Sequence, residues 1–406
     1  MDKINITKEG VLKLLKNLDT SKATGPDEIT ARMLKESAEE IAPVLTSLFQ
    51  QSLDTGTLPD DWLLANVSAL FKKGSRESPE NYRPVSLTSI MCKLLEHILH
   101  SQISKHLDKF KILTPLQHGF RKGHSCVTQL IQVVNDWMEG IENSQQIDAA
   151  ILDFTKAFDC VPHERLKSKL HHYGIRNNIL NWISMFLTQR QQRVVLNGET
   201  SSWHPVISGV PQGTVMGPLL FLIYINDIVD GLQCNIRLFA DDCIIYTDDQ
   251  DGDKLQKDLN HVCEWASKWQ MTFNPKKCNT MQIGLKKSMI PRDYTMLGET
   301  LVQVKEHTYL GVTISENLTW ESNHRRTVSK ANRILGLLQR NIYQCSRDTK
   351  IKAYKALVRP HLEYAAAVTD PHQTKYIQML DKVQRRAARF VVNDYRRRSS
   401  VTDYDK

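Results

Sequence analysis

Two β-rich runs that each deliver an aspartate constrain this 406-residue chain more than any other feature. The first, Ile147 to Leu152, is a continuous apolar-leaning run of strand length, which predicts a buried strand ending at Asp153. The second, Asn235 to Tyr246, has β-rich halves around Asp241-Asp242 and predicts a hairpin with both aspartates at its tip. Asp153 and Asp241 stand 88 residues apart, so they meet only if their strands are neighbours in one sheet. If they meet, the like charges repel, and the cluster is stable only with a cation between the groups. Oxygen ligands that leave positions open favour Mg2+, which completes its shell with water and substrate phosphates. Two-metal phosphoryl transfer requires that geometry. Each piece alone has a plainer reading, because aspartates also gather in turns for local hydrogen bonding. The combination carries the argument.

The surrounding pattern places these runs in a mixed chain. Residues 8–58 read as helical, with Leu12, Leu14, Leu15 and Leu18 at helical spacing, a break at Gly25-Pro26-Asp27, and a second amphipathic stretch from Ile29 to Leu53. Val67 to Phe71 is a short strand, and helices are expected from about Ser89 to Phe110 and Cys126 to Ile141. After Asp153, helices are expected from His163 to Gly174 and from Ile179 to Gln189. Asn197-Gly198 between strand-like residues is a strong hairpin signal. Ser208 to Gly213 then breaks the chain before an apolar helix, Val215 to Ile228. Lys254 to Trp269 reads as a helix, Cys278 to Gly284 and Tyr309 to Ile314 as strands, and the chain from Trp320 onward as helical and basic.

Several other chemistries are disfavoured. The eight cysteines are scattered without a CxxC pair and read as reduced intracellular thiols. Cys160 and His163 form a lone C-x-x-H with no second pair to complete a zinc site. Asp249, Asp251 and Asp253 mimic the start of an EF-hand, but Lys254 stands where that loop needs Gly and Asn260 where it needs Glu, so a solvated turn is expected. The N-terminus lacks the apolar core of a signal peptide. The apolar run Leu219 to Ile225 is far short of the ~20 residues that span a bilayer. A soluble protein of the cytoplasm or nucleus, with no membrane partner, is the expectation.

LDFTKAFDCV (152–161), SGVPQGTVMGPLLFLIYINDI (208–228) and LFADDCIIY (238–246), in this order, resemble the reverse transcriptases of non-LTR (LINE-like) retrotransposons. FKKG (71–74), NYRPVSLTS (81–89), LQHGFRKGHS (116–125), NPKKCNTM (274–281) and YLGVTI (309–314) fit the same family, and the resemblance covers roughly residues 18–395. It implies an α+β right-hand polymerase with fingers, an antiparallel-sheet palm and a helical thumb. The expected division is an N-terminal helical segment (1–57), fingers and palm (58–320, with fingers over about 58–145), a basic helical thumb (321–395) and a basic tail (396–406). The implied reaction is RNA-templated DNA synthesis from deoxynucleoside triphosphates on a DNA primer, with two Mg2+ ions for which Mn2+ can substitute.

Carried over residue by residue, the resemblance makes Asp153 and Asp241 the metal-binding carboxylates and Asp242 the third acidic member; Asp159 is expected to be structural. Phe158 falls where the family keeps an aromatic that closes against the sugar 2′ position and selects deoxynucleotides, although outside the motif it would read as a core Phe. Gln212 and Gly213 are expected against the incoming nucleotide and template. Arg83 with Lys72 or Lys73 suits the triphosphate, a solvated turn being the competing reading for the lysines. Lys276 or Lys277 is a candidate proton donor to departing pyrophosphate.

Charge placement agrees with that layout. The net charge is +8, yet residues 321–406 hold 19 Lys and Arg against 8 Asp and Glu, a net of +11, whereas residues 1–320 are at −3. A uniform polycation is excluded, and a slightly acidic body with a basic C-terminal region is indicated. Arg385, Arg386 and Arg389, with Arg396 to Arg398, are therefore candidate contacts to a template–primer backbone, a solvated charged helix face being the alternative. Relatives in this family usually carry an endonuclease and often a Cys/His knuckle; neither is legible in these residues, so target-site nicking is not assigned. Two rivals remain at this level: an RNA-dependent RNA polymerase on the same palm, and a catalytically silent RNA-binding fragment.

Overall fold

The computed structural model describes residues 1, 3–248, 252–285 and 289–396. Asp249 and Asp251 of the EF-hand-like stretch, and Arg397 and Arg398 of the basic tail, lie outside them. The chain opens with α1 (Lys8–Lys16), α2 (Ala31–Glu36) and α3 (Ala38–Thr55). The expected second amphipathic stretch is thus divided, because the chain turns at Ser37, whose hydroxyl bonds back to the Met33 carbonyl at 2.7 Å. Strands β1 (Leu64–Phe71) and β2 (Tyr82–Thr88) follow, then α4 (Ile90–Lys109), α5 (Cys126–Glu142) and β3 (Ile147–Leu152). Helices α6 (His163–His172) and α7 (Asn177–Thr188) lead to β4 (Gln191–Leu196), β5 (Glu199–Thr200) and β6 (His204–Pro205). Between β4 and β5, Asn197 and Gly198 both have positive φ, 52° and 89°, as a tight hairpin turn requires.

Helix α8 (Met216–Ile225) precedes β7 (Asn235–Phe239), β8 (Asp242–Thr247), α9 (Asp253–Trp269) and β9 (Asn279–Ile283). Short pieces β10 (Thr295–Met296), β11 (Glu299–Thr300) and β12 (Val302–Gln303) come next, then a hairpin of β13 (Glu306–Tyr309) and β14 (Val312–Ser315). The single strand expected over Tyr309 to Ile314 is therefore this hairpin, turned at Leu310-Gly311, where both residues have positive φ. The basic C-terminal region folds as α10 (Glu321–Asn341), α11 (Arg347–Leu357), α12 (Arg359–Glu363), α13 (Ala366–Thr369) and α14 (Thr374–Val392).

Among the described residues the central sheet has the order β12-β9-β3-β8-β7. It is antiparallel except for the β12–β9 pair, a departure from the wholly antiparallel sheet expected. Every residue of β3 is buried because both faces are covered, and alternate side chains enter different cores. Ala150 and Leu152 join the larger core with α6, α8 and α9, whereas Ile147, Ala149 and Ile151 pack with α5 and the β13–β14 hairpin. Cys243 and Ile245 of β8 divide from Ile244 and Tyr246 in the same way. A second sheet has the order β2-β1-β4-β5 with β6 on β4, and α10, α11 and α14 close a third small core around Leu335, Val383 and Phe390. No helix among the described residues is long and apolar enough to cross a membrane.

Candidate active site

The β3–β8 pairing ends at the rung Leu152–Cys243, so Asp153 and Asp242 leave two neighbouring strands side by side. Strand β7 pairs Phe239 with Asp242, which leaves Ala240 and Asp241 as the two-residue turn. The hairpin tip is thus Ala240-Asp241, and Asp242 is the first residue of β8 rather than part of the tip. Rigid strands place all three carboxylates at one end of the central sheet.

The field at this end of the sheet shows in the acidities of Asp241 and Asp242. Burial raises Asp241 above the usual carboxylate range and the charge of Asp153 adds to the rise, while Lys72 and Arg83 pull it back. Asp242 is pushed up to about 6, first by the chain that crowds it and then by Asp241 and Asp153. Among the described residues, no group of three or more His, Cys, Asp or Glu side chains forms a metal cage. An incomplete, oxygen-only set under like-charge stress fits a hard divalent ion that keeps waters and binds substrate phosphates; it does not fit zinc.

A strap formed by Thr272 to Cys278 holds the Asp153 end. Asn274 N–H donates to the Asp153 carbonyl at 2.8 Å, Thr155 N–H donates to Thr272 at 2.8 Å, and Phe154 stacks on Phe273 at 4.2 Å. The Asp153 N–H points to Cys278 Sγ at 3.3 Å. This strap carries Lys277 to 3.4 Å from the Asp153 carboxylate, although both Lys276 and Lys277 are exposed. Of the two lysines that the sequence left open, Lys277 is the one the fold brings to the carboxylates.

The remaining candidates surround this end. Phe158 stacks on Phe221 of α8 at 4.3 Å and 17°, half-buried. Gln212 donates from Nε2 to Asp159 Oδ1 at 3.1 Å, and its carbonyl accepts from Ser86 N–H at 2.7 Å. Gly213 has φ +99°, and a Cβ there would stand 2.7 Å from the Ser86 carbonyl. Its lack of a side chain is thus already demanded by β2 of its own chain. Lys72, Lys73 and Arg83 are exposed on the β1–β2 hairpin, and only Lys72 and Arg83 act on Asp241 by charge. Arg385, Arg386 and Arg389 lie some way along the C-terminal helices: with Gln339, Lys382 and Tyr395 they line a cavity of about 450 Å³. Arg386 spends its guanidinium on Asn332 and Gln339 of α10, at 3.2 and 3.0 Å. His163, the candidate zinc ligand, instead bonds the Gly209 carbonyl at 2.9 Å.

A family model described as reverse transcriptase (RNA-dependent DNA polymerase) matches residues 71–314, which contain every one of these elements from Phe71 to β14. The chain belongs to the reverse transcriptase family. It is 30% identical over 89% of its length to the RNA-directed DNA polymerase from mobile element jockey of Drosophila funebris, and 28% identical to its Drosophila melanogaster counterpart. It is 26% identical over 95% of its length to the probable RNA-directed DNA polymerase from transposon BS of Drosophila melanogaster. The chain spans 41–44% of the length of these relatives. They agree with the motif-level resemblance to non-LTR elements.

Sequence reasoning missed residues that hold this reverse transcriptase site from behind. Glu96 of α4 is fully buried and accepts the N–H groups of Val215 and Met216, at the start of α8, at 2.8 and 2.9 Å. Asn226 and Asp227 at the end of α8 brace the fold: Asn226 bonds the backbone of Ile112 and Thr114, and Asp227 holds the buried Lys169 in a cage of Tyr224, Trp265 and Trp269. Glu96 had a signal in the sequence, since it sits at helical spacing among the apolar positions Cys92, Leu95 and Leu99 of α4.

Proposed function

We propose that the chain is an RNA-directed DNA polymerase that extends a DNA primer with deoxynucleoside triphosphates on an RNA template. The observation that carries the reading is the convergence of Asp153, Asp241 and Asp242 at one end of one sheet in a member of this family. In this reading the β1–β2 sheet and α4–α5 are fingers, the central sheet is the palm, and α10–α14 are the thumb. The primer 3′-oxygen forms a bond to the α-phosphorus, the bond from that phosphorus to the β-phosphate oxygen breaks, and pyrophosphate leaves. Mg2+ held by Asp153, Asp241 and Asp242 would lower the pKa of the attacking hydroxyl and neutralise the leaving phosphates. Arg83 and Lys72 hold the triphosphate, Phe158 on its Phe221 platform faces the sugar, and Gln212 and Gly213 border the nucleotide. Lys277, freed from Asp153, protonates the leaving pyrophosphate. The basic face of α14 grips the template–primer backbone.

Primer extension on an RNA template tests this directly. Deoxynucleotides are expected to be incorporated with Mg2+ or Mn2+. Incorporation of ribonucleotides but not deoxynucleotides would identify an RNA polymerase and remove the role given to Phe158. Binding of RNA without extension under either metal would identify a silent binder.

A second expectation concerns the metal apart from turnover. Burial raises the folded pKa of both Asp241 and Asp242, that of Asp242 to about 6, so the contribution of Asp242 to stability is present at pH below the unfolded value near 3.8 and is lost as pH rises through about 6. At pH 7 the Asp242 carboxylate is ionised among its acidic neighbours, an unfavourable like-charge arrangement. Adding Mg2+ or Mn2+ is therefore expected to raise the melting temperature at pH 7 and to do so much less at pH 5.5, where a proton competes. Equal shifts at the two pH values, read by differential scanning fluorimetry, would contradict a carboxylate-held metal.

A further inference from the structure

The loop between α4 and α5 runs along the outer edge of β7. Leu238 donates its N–H to the Leu116 carbonyl at 3.0 Å, and His118 donates to the Leu238 carbonyl at 2.9 Å. Gln117, between them and 2% exposed, turns its side chain onto the hairpin tip. Its Oε1 accepts from Ala240 N–H at 2.8 Å and from Gly119 N–H at 2.7 Å, and its Nε2 donates to the Ala240 carbonyl at 3.2 Å. One amide thus satisfies both backbone groups of the residue immediately before Asp241. Its orientation is dictated by its partners, two N–H donors on one side and a carbonyl on the other.

Ala240 needs such a partner. It is 6% exposed, so water does not reach its backbone freely, and its φ is +55°, a region that a residue with a Cβ rarely occupies. Conformations of this kind cost about 1–3 kcal/mol and persist where the surroundings over-determine them. Gly119 completes the fit, since a Cβ there would lie 2.2 Å from the Ala240 nitrogen. The loop therefore closes on the turn without a gap.

We propose that Gln117 is a positioning residue of the active site, fixing the Ala240-Asp241 turn and hence the direction in which Asp241 presents its carboxylate. The kinetic side of this inference rests on the polymerase reading above; the conformational side does not. In Gln117→Ala the turn loses its template while the β3–β8 ladder remains. Misplacement of a reacting group by about 1 Å costs on the order of 10²-fold in rate. The rate constant for single-nucleotide addition is accordingly expected to fall roughly 10- to 100-fold, with the KM for deoxynucleotide and the template–primer affinity held within about threefold. Gln117→Glu keeps the acceptor and loses the donor, so it is expected to lie between Gln117→Ala and the parent.

Hydrogen exchange supplies the second readout. In the metal-free protein, amides of residues 238–243 are expected to exchange about tenfold faster in Gln117→Ala, with amides of 147–152 unchanged. The inference is overturned by a folded Gln117→Ala that adds nucleotides at the parental rate, by unaltered exchange at 238–243, or by faster exchange across the whole sheet, which would make Gln117 a general stability residue. If Gln117→Ala does not fold, the same measurements on Gln117→Glu decide. A parent protein that extends no primer would refute the polymerase reading and leave the exchange comparison to judge the positioning of the turn.

Discussion

Asp241→Asn is expected to abolish primer extension, lowering the rate by roughly 10³-fold or more, while the protein stays folded and still binds RNA. Asn has nearly the shape of Asp, so the two-residue turn and its contacts with Gln117 are kept. What is lost is one of three charges that would hold a divalent cation. The same substitution removes the second-largest contribution to the raised pKa of Asp242, the charge of Asp241, so Asp242 should titrate lower than about 6. Relief of that repulsion makes the metal-free variant at least as stable as the parent at pH 7. The expected signature is thus threefold: no extension, unchanged or higher melting temperature without metal, and a weaker response of that temperature to Mg2+. Extension within tenfold of the parent would sink the assignment of Asp241, and a large loss of stability would show that it acts through folding instead.

The features that were legible in the sequence are those set by short-range pattern. The run Ile147 to Leu152 announced a strand covered on both faces, and the β-rich halves around Asp241 announced a hairpin, because side-chain alternation and turn composition act locally. Asn197-Gly198 told its turn in two residues. Features set by pairing at a distance were not legible. The parallel partnerships of β1 with β4 and of β9 with β12 depend on chain paths that composition does not encode. Gly213 read as a residue that a ligand approaches closely, yet the nearest approach is by the Ser86 carbonyl of a strand about 130 residues earlier, which only the folded chain reveals. Gln117 stood in the LQHGFRKGHS motif with no role of its own; its meaning lies in two backbone groups of Ala240, 123 positions away.

Glu96→Ala is expected to destabilise the protein by about 3–5 kcal/mol, because it removes the compensating partner from a buried charged group and from a helix terminus at once. Carboxylate Oε2 satisfies the part-buried Val215 N–H and the buried Met216 N–H at the positive end of the α8 dipole. Arg190, 2% exposed, adds an attractive charge to Glu96, and its guanidinium lies over Phe186 at 4.9 Å. Both terminal nitrogens of Arg190 lack a hydrogen-bond partner among the described residues, so its ion-pair field with Glu96 is a main source of compensation. Burial raises the pKa of Glu96, and the two N–H groups and Arg190 oppose that rise; Ala removes the carboxylate and leaves Arg190 buried without its charge partner. Glu96→Gln keeps an acceptor for the helix terminus and should cost less, about 1–3 kcal/mol. If Arg190 is the larger part of the loss, Glu96→Ala combined with Arg190→Met will be more stable than Glu96→Ala alone, a coupling that a double-mutant cycle in urea measures. An unfolding midpoint of Glu96→Ala equal to that of the parent would refute the role of this carboxylate. Since α8 begins three residues after Gly213, a loosened Glu96 should also disorder the Gln212-Gly213 turn beside Asp159, and that ties the buried helix cap to the chemistry in front of it.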